Sequence, residues 1–246
     1  MKRRNFIRNI SLGSGIALSS PSFSTEKSIL EKPQTPPKII LFQGDSITDA
    51  SRNKSIATYN NPDSLGNGYA FLAASDLLEK FPHENLQIYN RGISGNKVFE
   101  LAKRWKEDCL DLKPDVLSIL IGVNDFWHTL DLGYSGTIQT YRDDFKAILD
   151  QTLTAFPEIK IIIGEPFVIQ GGEAITDRWF PDFDGYRTVA KELSKEFNTT
   201  FIPYQKLFDN ALERADYNHW GRDGVHPSIA GARLMANAWG HAYSLL

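Results

Sequence analysis

The sequence has a single cysteine, Cys109, among its 246 residues. A lone thiol excludes an internal disulfide framework and any zinc cluster built on cysteines. Glycine (18) and proline (12) stay near the ordinary background, which excludes collagen-like and low-complexity classes. No internal repeat and no second composition regime is present. Charge of one sign does not dominate either: 27 basic residues face 30 acidic ones, a net −3 that argues against a phosphate backbone or an anionic membrane as partner. What is there is a hydrophobic fraction of 41% and an aromatic fraction of 12%, enough to offset the entropy of ordering the chain. The length suits one enzyme-sized domain with a real core.

Long apolar runs are also missing. The stretch from Ile10 to Leu18 is broken by Gly13, Ser14 and Gly15, and it falls short of the roughly 20 residues a membrane span needs. Lys2, Arg3, Arg4 and Arg8 precede it, and the small residues Ser22 and Ser24 follow. A basic head, a short apolar middle and small residues predict a cleavable export signal over residues 1–24, ahead of a periplasmic or secreted domain. Arg3-Arg4-Asn5-Phe6-Ile7 resembles the twin-arginine export motif. An uncleaved tether or a basic tail is the alternative. Cutting after Ser24 removes four positive charges and no negative ones, leaving a more acidic chain that argues further against nucleic acid and membrane partners. Residues 25–37, with Pro33, Pro36 and Pro37, read as a linker to a domain over 38–246.

From Lys38 onward, short apolar runs alternate with amphipathic stretches. Strands are expected at Lys38 to Gln43, Leu86 to Tyr89, Val116 to Ile121, Ile159 to Ile163 and Thr200 to Pro203. Helical spacing marks Tyr69 to Phe81, a stripe from Val98 through Trp105 and Cys109 to Leu112, Ile138 to Phe156, Tyr186 to Phe197, and Ser228 to Tyr243. Strands that are apolar almost throughout, separated by helices, predict a five-stranded parallel sheet covered on both faces. Right-handed crossovers leave few topologies, and the flavodoxin-like order 2-1-3-4-5 is the first choice. Chemistry in such sheets sits beyond the carboxyl ends of the strands.

Those ends carry polar residues. Gly44-Asp45-Ser46-Ile47-Thr48 follows the first strand, where Ser46 is placed to project its hydroxyl above the sheet, or else to serve ordinary turn chemistry. The G-x-S-x-G elbow of common α/β-hydrolases is absent. Asn90-Arg91-Gly92-Ile93-Ser94-Gly95-Asn96 follows the second strand, and its glycines permit close backbone approach and positive φ. Gly122-Val123-Asn124-Asp125 follows the third, with Asn124 either a donor to a developing oxyanion or a helix cap. Asp223-Gly224-Val225-His226-Pro227 precedes the last helix. There Gly224 lets Asp223 fold back onto the His226 ring, which would leave Nε2 free to act as a base. A capping or core histidine is the plainer reading, and no neighbouring His or Cys completes a metal ligand set.

Together these four blocks, GDSIT, RGISGN, GVND and DGVHP, resemble in order those of the SGNH hydrolase superfamily, the GDSL-type esterases and lipases. The resemblance implies a flavodoxin-like three-layer α/β/α fold and a serine esterase mechanism. It implies Ser46 as nucleophile, His226 as general base and acid, and Asp223 as its orienter. The oxyanion hole would comprise the backbone N–H groups of Ser46 and Gly95 and the side chain of Asn124. It implies no metal and no cofactor. Isoleucine stands where the GDSL signature has leucine, a change that keeps an apolar side chain.

The segments 126–137 and 165–184 and the last loop bring Trp127, Trp179 and Trp220, candidate stacking surfaces for sugar rings. The wording around RGISGN and IGVND also looks like the bacterial branch that holds carbohydrate acetylesterases. Three readings stay open: an esterase removing O-acetyl groups from polysaccharides or oligosaccharides, a lipid or thioester acyl hydrolase, and a silent carbohydrate-binding relative. Intact Ser46, Asp223 and His226 speak against the last.

Overall fold

The computed structural model describes residues 36–246. The expected leader at 1–24, and the linker at 25–37 except its last two residues, lie outside the described residues.

The chain alternates strands and helices: β1 (Lys38–Gly44), the single turns α1 (Ser46–Asp49) and α2 (Pro62–Leu65), α3 (Tyr69–Lys80), β2 (Leu86–Asn90), α4 (Val98–Asp108), β3 (Val116–Leu120), α5 (Val123–Asp131), α6 (Ile138–Ala155), β4 (Lys160–Gly164), α7 (Asp182–Glu196), β5 (Thr200–Ile202), α8 (Tyr204–Leu212), the turn α9 (Tyr217–Trp220) and α10 (Ile229–Tyr243). The five strands pair in parallel in the order β2-β1-β3-β4-β5, the flavodoxin-like order expected from the alternation. Strand β3 is buried at every position, as its unbroken apolar run requires of a central strand covered on both faces.

The register settles which face meets which helix. Phe42 of β1 lies beside Ser118 of β3. Phe42 packs on Trp239 of α10 and on Tyr69 of α3, and Trp239 Nε1 donates to Ser118 Oγ at 2.9 Å. Alternation then turns Gln43 to the opposite face, where its Nε2 donates to the carbonyl of Asp108 in α4 at 2.7 Å. Helices α3 and α10 pack together, and α4, α6 and α7 pack in succession. Trp105 of α4 is keyed to α6 by a 2.9 Å hydrogen bond from its Nε1 to Thr152 Oγ1.

Two expectations need correction. Residues 126–137, read as a loop, begin inside α5, because Phe126 is drawn into a cluster with Trp179, Phe183 and Tyr186. The helical stripe from Val98 does not run unbroken to Leu112: α4 stops at Asp108, and a short 3₁₀ turn, Leu110–Leu112, carries the chain on past buried Cys109. Helix α7 starts at Asp182, ahead of the expected Tyr186, and α8 lies where no helix is expected; each is preceded by a proline and has no side-chain cap to mark its start.

Candidate active site

Strand β1 delivers the chain to its carboxyl end, where Asp45 caps α1 by accepting from Ile47 N at 3.0 Å. Ser46 is therefore the first residue of a turn, and its N–H has no acceptor within that turn. Its Oγ lies 2.7 Å from His226 Nε2. The loop that precedes α10 folds Asp223 back as its spacing predicts. Asp223 Oδ1 accepts from the backbone N–H groups of Val225 (2.9 Å) and His226 (2.8 Å), and Oδ2 lies 2.6 Å from His226 Nδ1. With Nδ1–H donating to that carboxylate, Nε2 is left as the acceptor of the Ser46 hydroxyl proton.

The loop after β2 is laid over the Ser46 turn. Asn90 Nδ2 donates to the carbonyls of Thr48 (2.6 Å) and Leu65 (2.8 Å), and its Oδ1 accepts from Gly92 N. A Cβ on Gly92 would stand 2.5 Å from Asp49 N, so only glycine lets the two backbones approach this closely. Arg52 Nε holds the Gly92 carbonyl at 2.7 Å, and Ser94 N donates to Asp49 Oδ2 at 2.8 Å. Gly95 has a φ of 81°, in the left-handed region that glycine adopts freely. The two glycines thus divide the roles expected of them, one for approach and one for conformation. Asn124, in the first turn of α5, is not its cap. Gly122 holds that position, and the Asn124 side chain donates instead to the carbonyl of Asn96 at 3.2 Å. Asp125 holds the start of α4, just after that loop, accepting from Val98 N at 3.1 Å.

Electrostatics follow from burial and from these bonds. Burial alone would raise Asp223, but the hydrogen bonds from the His226 ring and from two backbone N–H groups outweigh it and hold the carboxyl at about 2. The same hydrogen bond, donated to Asp223, raises His226 above the usual 6.5, against partial burial. Asp45 and Asp125 are enclosed, and burial pushes each up to about 7.

A cavity of about 1020 Å³ opens beside Ser46 and His226. Phe71 and Leu72 of α3 line it together with Ile229 of α10, which is 87% exposed. Lys54, Asp63 and Asn67, from the segment between α1 and α3, supply polar lining. None of these residues was singled out from sequence: residues 50–68 show no periodicity, and Phe71, Leu72 and Ile229 sit in expected helices with nothing in their spacing to set them apart from core positions. The tryptophans go elsewhere. Trp179 is 1% exposed, packed among Phe126, Trp127 and Phe183, with its Nε1 donating to the Ala174 carbonyl. Trp220 is 7% exposed and donates to the Ala215 carbonyl. The stacking surfaces expected at these two positions are therefore overturned, since both rings are spent on packing. Trp127 is half-buried against Trp179 and does not line the cavity.

This sheet order, with Ser46 facing an Asp-x-x-His pair across the strand ends, is the architecture of SGNH hydrolases. The chain belongs to the GDSL-like Lipase/Acylhydrolase family, whose model matches residues 42–234. It is a carboxylic ester hydrolase of that family. It is 36% identical over 202 residues to the acetylxylan esterase of Geobacillus stearothermophilus, covering 81% of this chain and 91% of that one. A crystal structure of that esterase superposes with a TM-score of 0.75 at 33% identity, over 83% of this chain and 93% of the other. A Parabacteroides merdae protein provisionally assigned as a GDSL-like lipase is 50% identical, with a TM-score of 0.83 over 85% of this chain and 96% of its own.

Proposed function

We propose that this enzyme removes short acyl groups, acetyl foremost, from carbohydrate esters through an acyl-enzyme on Ser46. The observation that carries the reading is the unbroken line from Ser46 Oγ through His226 to Asp223, at 2.7 and 2.6 Å. His226 Nε2 takes the hydroxyl proton as Oγ bonds to the ester carbonyl carbon. The carbonyl electrons move onto oxygen, where the N–H groups of Ser46 and Gly95 and the Asn124 amide are the donors assigned to the oxyanion. Collapse of this intermediate breaks the bond to the alcohol, which leaves with the proton held on Nε2. Water, losing a proton to the same nitrogen, then attacks the acyl carbon; the bond from that carbon to Oγ breaks, Oγ takes the proton back from Nε2, and acetate and free Ser46 result. Asp223 keeps the ring in the required tautomer throughout and stabilises the imidazolium.

The sugar half of the reading rests on two supports. The Geobacillus relative is an acetyl-xylooligosaccharide esterase, and catalytic mutants of it replace a serine and an aspartate by alanine, the residue types found here at Ser46 and Asp223. The cavity is also two-sided in character, with aliphatic and aromatic groups from α3 and α10 and polar groups from residues 50–68. A sugar has the matching pair of surfaces, a C–H face and hydroxyl edges. The basic leader motif supports export of the enzyme to where polysaccharide is met.

Acetate release from acetylated xylan and its oligomers, run beside lysophospholipid and long-chain acyl esters, tests the substrate class. Dominant lipid hydrolysis would overturn it. Ser46→Ala tests the chemistry and should cost on the order of 10⁴-fold or more in turnover without unfolding. Wild-type turnover by the folded variant would end the acyl-enzyme reading.

A further inference from the structure

The Ser46 and Gly95 N–H groups belong to different segments, one after β1 and one after β2. Their spacing depends on whatever locks those segments together. Asn90, Arg52 and Asp49 tie the two segments directly, and the Ile93 N–H donates to the Gly44 carbonyl at 3.0 Å. A further side chain reaches both segments from outside them, on the flanks nearest Ser46 and Gly95. Arg104, on α4, has only 14% of its side chain exposed. Its Nε donates to Asn96 Oδ1 at 2.9 Å. Its Nη1 shares two protons among the Arg91 carbonyl (2.8 Å), Asp108 Oδ2 (2.9 Å) and Gln43 Oε1 (3.1 Å). Its Nη2 faces the Gly44 carbonyl at a long 3.5 Å. Gln43 and Gly44 precede Ser46 with only Asp45 between, and Arg91 and Asn96 lie on either side of Gly95 in sequence. The Asn96 carbonyl in turn accepts from Asn124, the third oxyanion donor.

We infer that Arg104 is a positioning residue for the oxyanion hole, its guanidinium setting the distance between the segments that carry Ser46 and Gly95. The inference rests on the serine mechanism proposed above. A planar fork with five N–H donors suits this task, because it meets acceptors in several fixed directions at once. The ammonium of a lysine is a flexible point donor and cannot span the same set. Asp108 completes the arrangement by neutralising the guanidinium from within its own helix, so that the charge is not left unpaired where it is poorly hydrated. The Arg104 guanidinium is one layer removed from the reacting atoms. Its loss would let the donors drift apart, and misplacement of about 1 Å can cost on the order of 10²-fold in rate.

The test compares Arg104→Ala and Arg104→Lys in the full-length enzyme, with p-nitrophenyl acetate as substrate and a boronic acid as probe. The tetrahedral boronate adduct on the serine resembles the oxyanion intermediate. For Arg104→Ala, kcat should fall on the order of 10- to 100-fold and boronate affinity by a comparable factor, with KM within about twofold. Arg104→Lys should lie between wild type and alanine. Guanidinium at low millimolar concentration should raise the rate of Arg104→Ala and not of wild type. A folded Arg104→Ala with unchanged kcat overturns the inference. So does a fall in kcat without loss of boronate affinity, since the donors would then be intact.

If Arg104→Ala fails to fold, Asn96→Ala keeps the pair with Asp108 and removes only the acceptor of Nε. It should lower kcat and boronate affinity together by about threefold to tenfold, and unchanged values overturn the inference. Ser46→Ala separates the two levels. An active Ser46→Ala defeats the serine mechanism itself, whereas an inactive one beside a fully active Arg104→Ala defeats only the role given to Arg104.

Discussion

The Asn124 side chain donates to the carbonyl of Asn96 at 3.2 Å, so the free enzyme already has an acceptor where the oxyanion is expected to draw the amide. A neutral bond of this kind is worth about 1 kcal/mol net, whereas a bond to an ionised oxygen is roughly twice as strong. The amide therefore gains most when charge develops on the substrate. Asn124→Ala should lower kcat by about 10²–10³-fold with KM barely changed. The competing account makes Asn124 only a tie between loops. It predicts a lower melting temperature with intact turnover, and both quantities can be read on one preparation.

The pH profile should carry the signature of His226. Only the neutral imidazole accepts the Ser46 proton, and Asp223 raises the ring above 6.5 by favouring its charged form. The rate should therefore rise with pH along a limb centred above 6.5. Asp223→Asn removes the carboxylate that favours imidazolium, so its limb should move to lower pH while the plateau drops. Profiles of kcat/KM for both enzymes decide this, and a limb that stays put in Asp223→Asn would contradict the pairing.

Asp125 predicts a pH dependence of stability with the opposite sign to an ordinary surface carboxylate. Burial raises it from 3.8 to about 7, and its Oδ2 has no hydrogen-bond partner. Between those values the native state holds a proton that the unfolded chain has released. Stability from this group is therefore lost as pH rises from about 4 to 7 and is level above that. Asp45, also raised to about 7, acts in the same direction. Asp125→Asn keeps the acceptor for Val98 N and removes the titration. Relative to wild type it should gain melting temperature at pH 8 over pH 4.5. A difference between the two proteins that is independent of pH would refute the assignment.

Acetyl esters should be cleaved much faster than octanoyl or longer ones. A lipase that buries each added methylene gains about 0.8 kcal/mol per carbon. Here the cavity beside Ser46 is lined in part by Lys54, Asp63 and Asn67, against which a long alkyl chain would displace water without gain. A p-nitrophenyl ester series from two to twelve carbons gives the comparison. A maximum at eight carbons or beyond would favour the lipid reading.

Much of the fold and of the site could be read before any coordinate. Apolar runs at Ile40, Val116 and Ile161 declare buried parallel strands because period and burial are local properties of the chain. Strand ends point to the segments that hold Ser46, Gly95 and Asn124, while the choice of these residues within them comes from the resemblance of the four blocks to the family; the Asp223–His226 contact is legible because three residues and one glycine close it within a single loop. Tertiary structure alone brought Ser46 to His226 across 180 positions. It also buried Trp179 and Trp220, whose rings look identical in sequence to exposed ones, and it gave the cavity to Phe71, Leu72 and Ile229. Arg104 reads as one more cation on the polar side of a helix, yet its acceptors Arg91 and Gln43 lie 13 and 61 positions away. Turn, strand and helix preferences act over a few neighbouring residues and leave their mark on the string of letters. The partners of a buried charge or an aromatic ring are chosen only when distant segments pack and water is excluded between them.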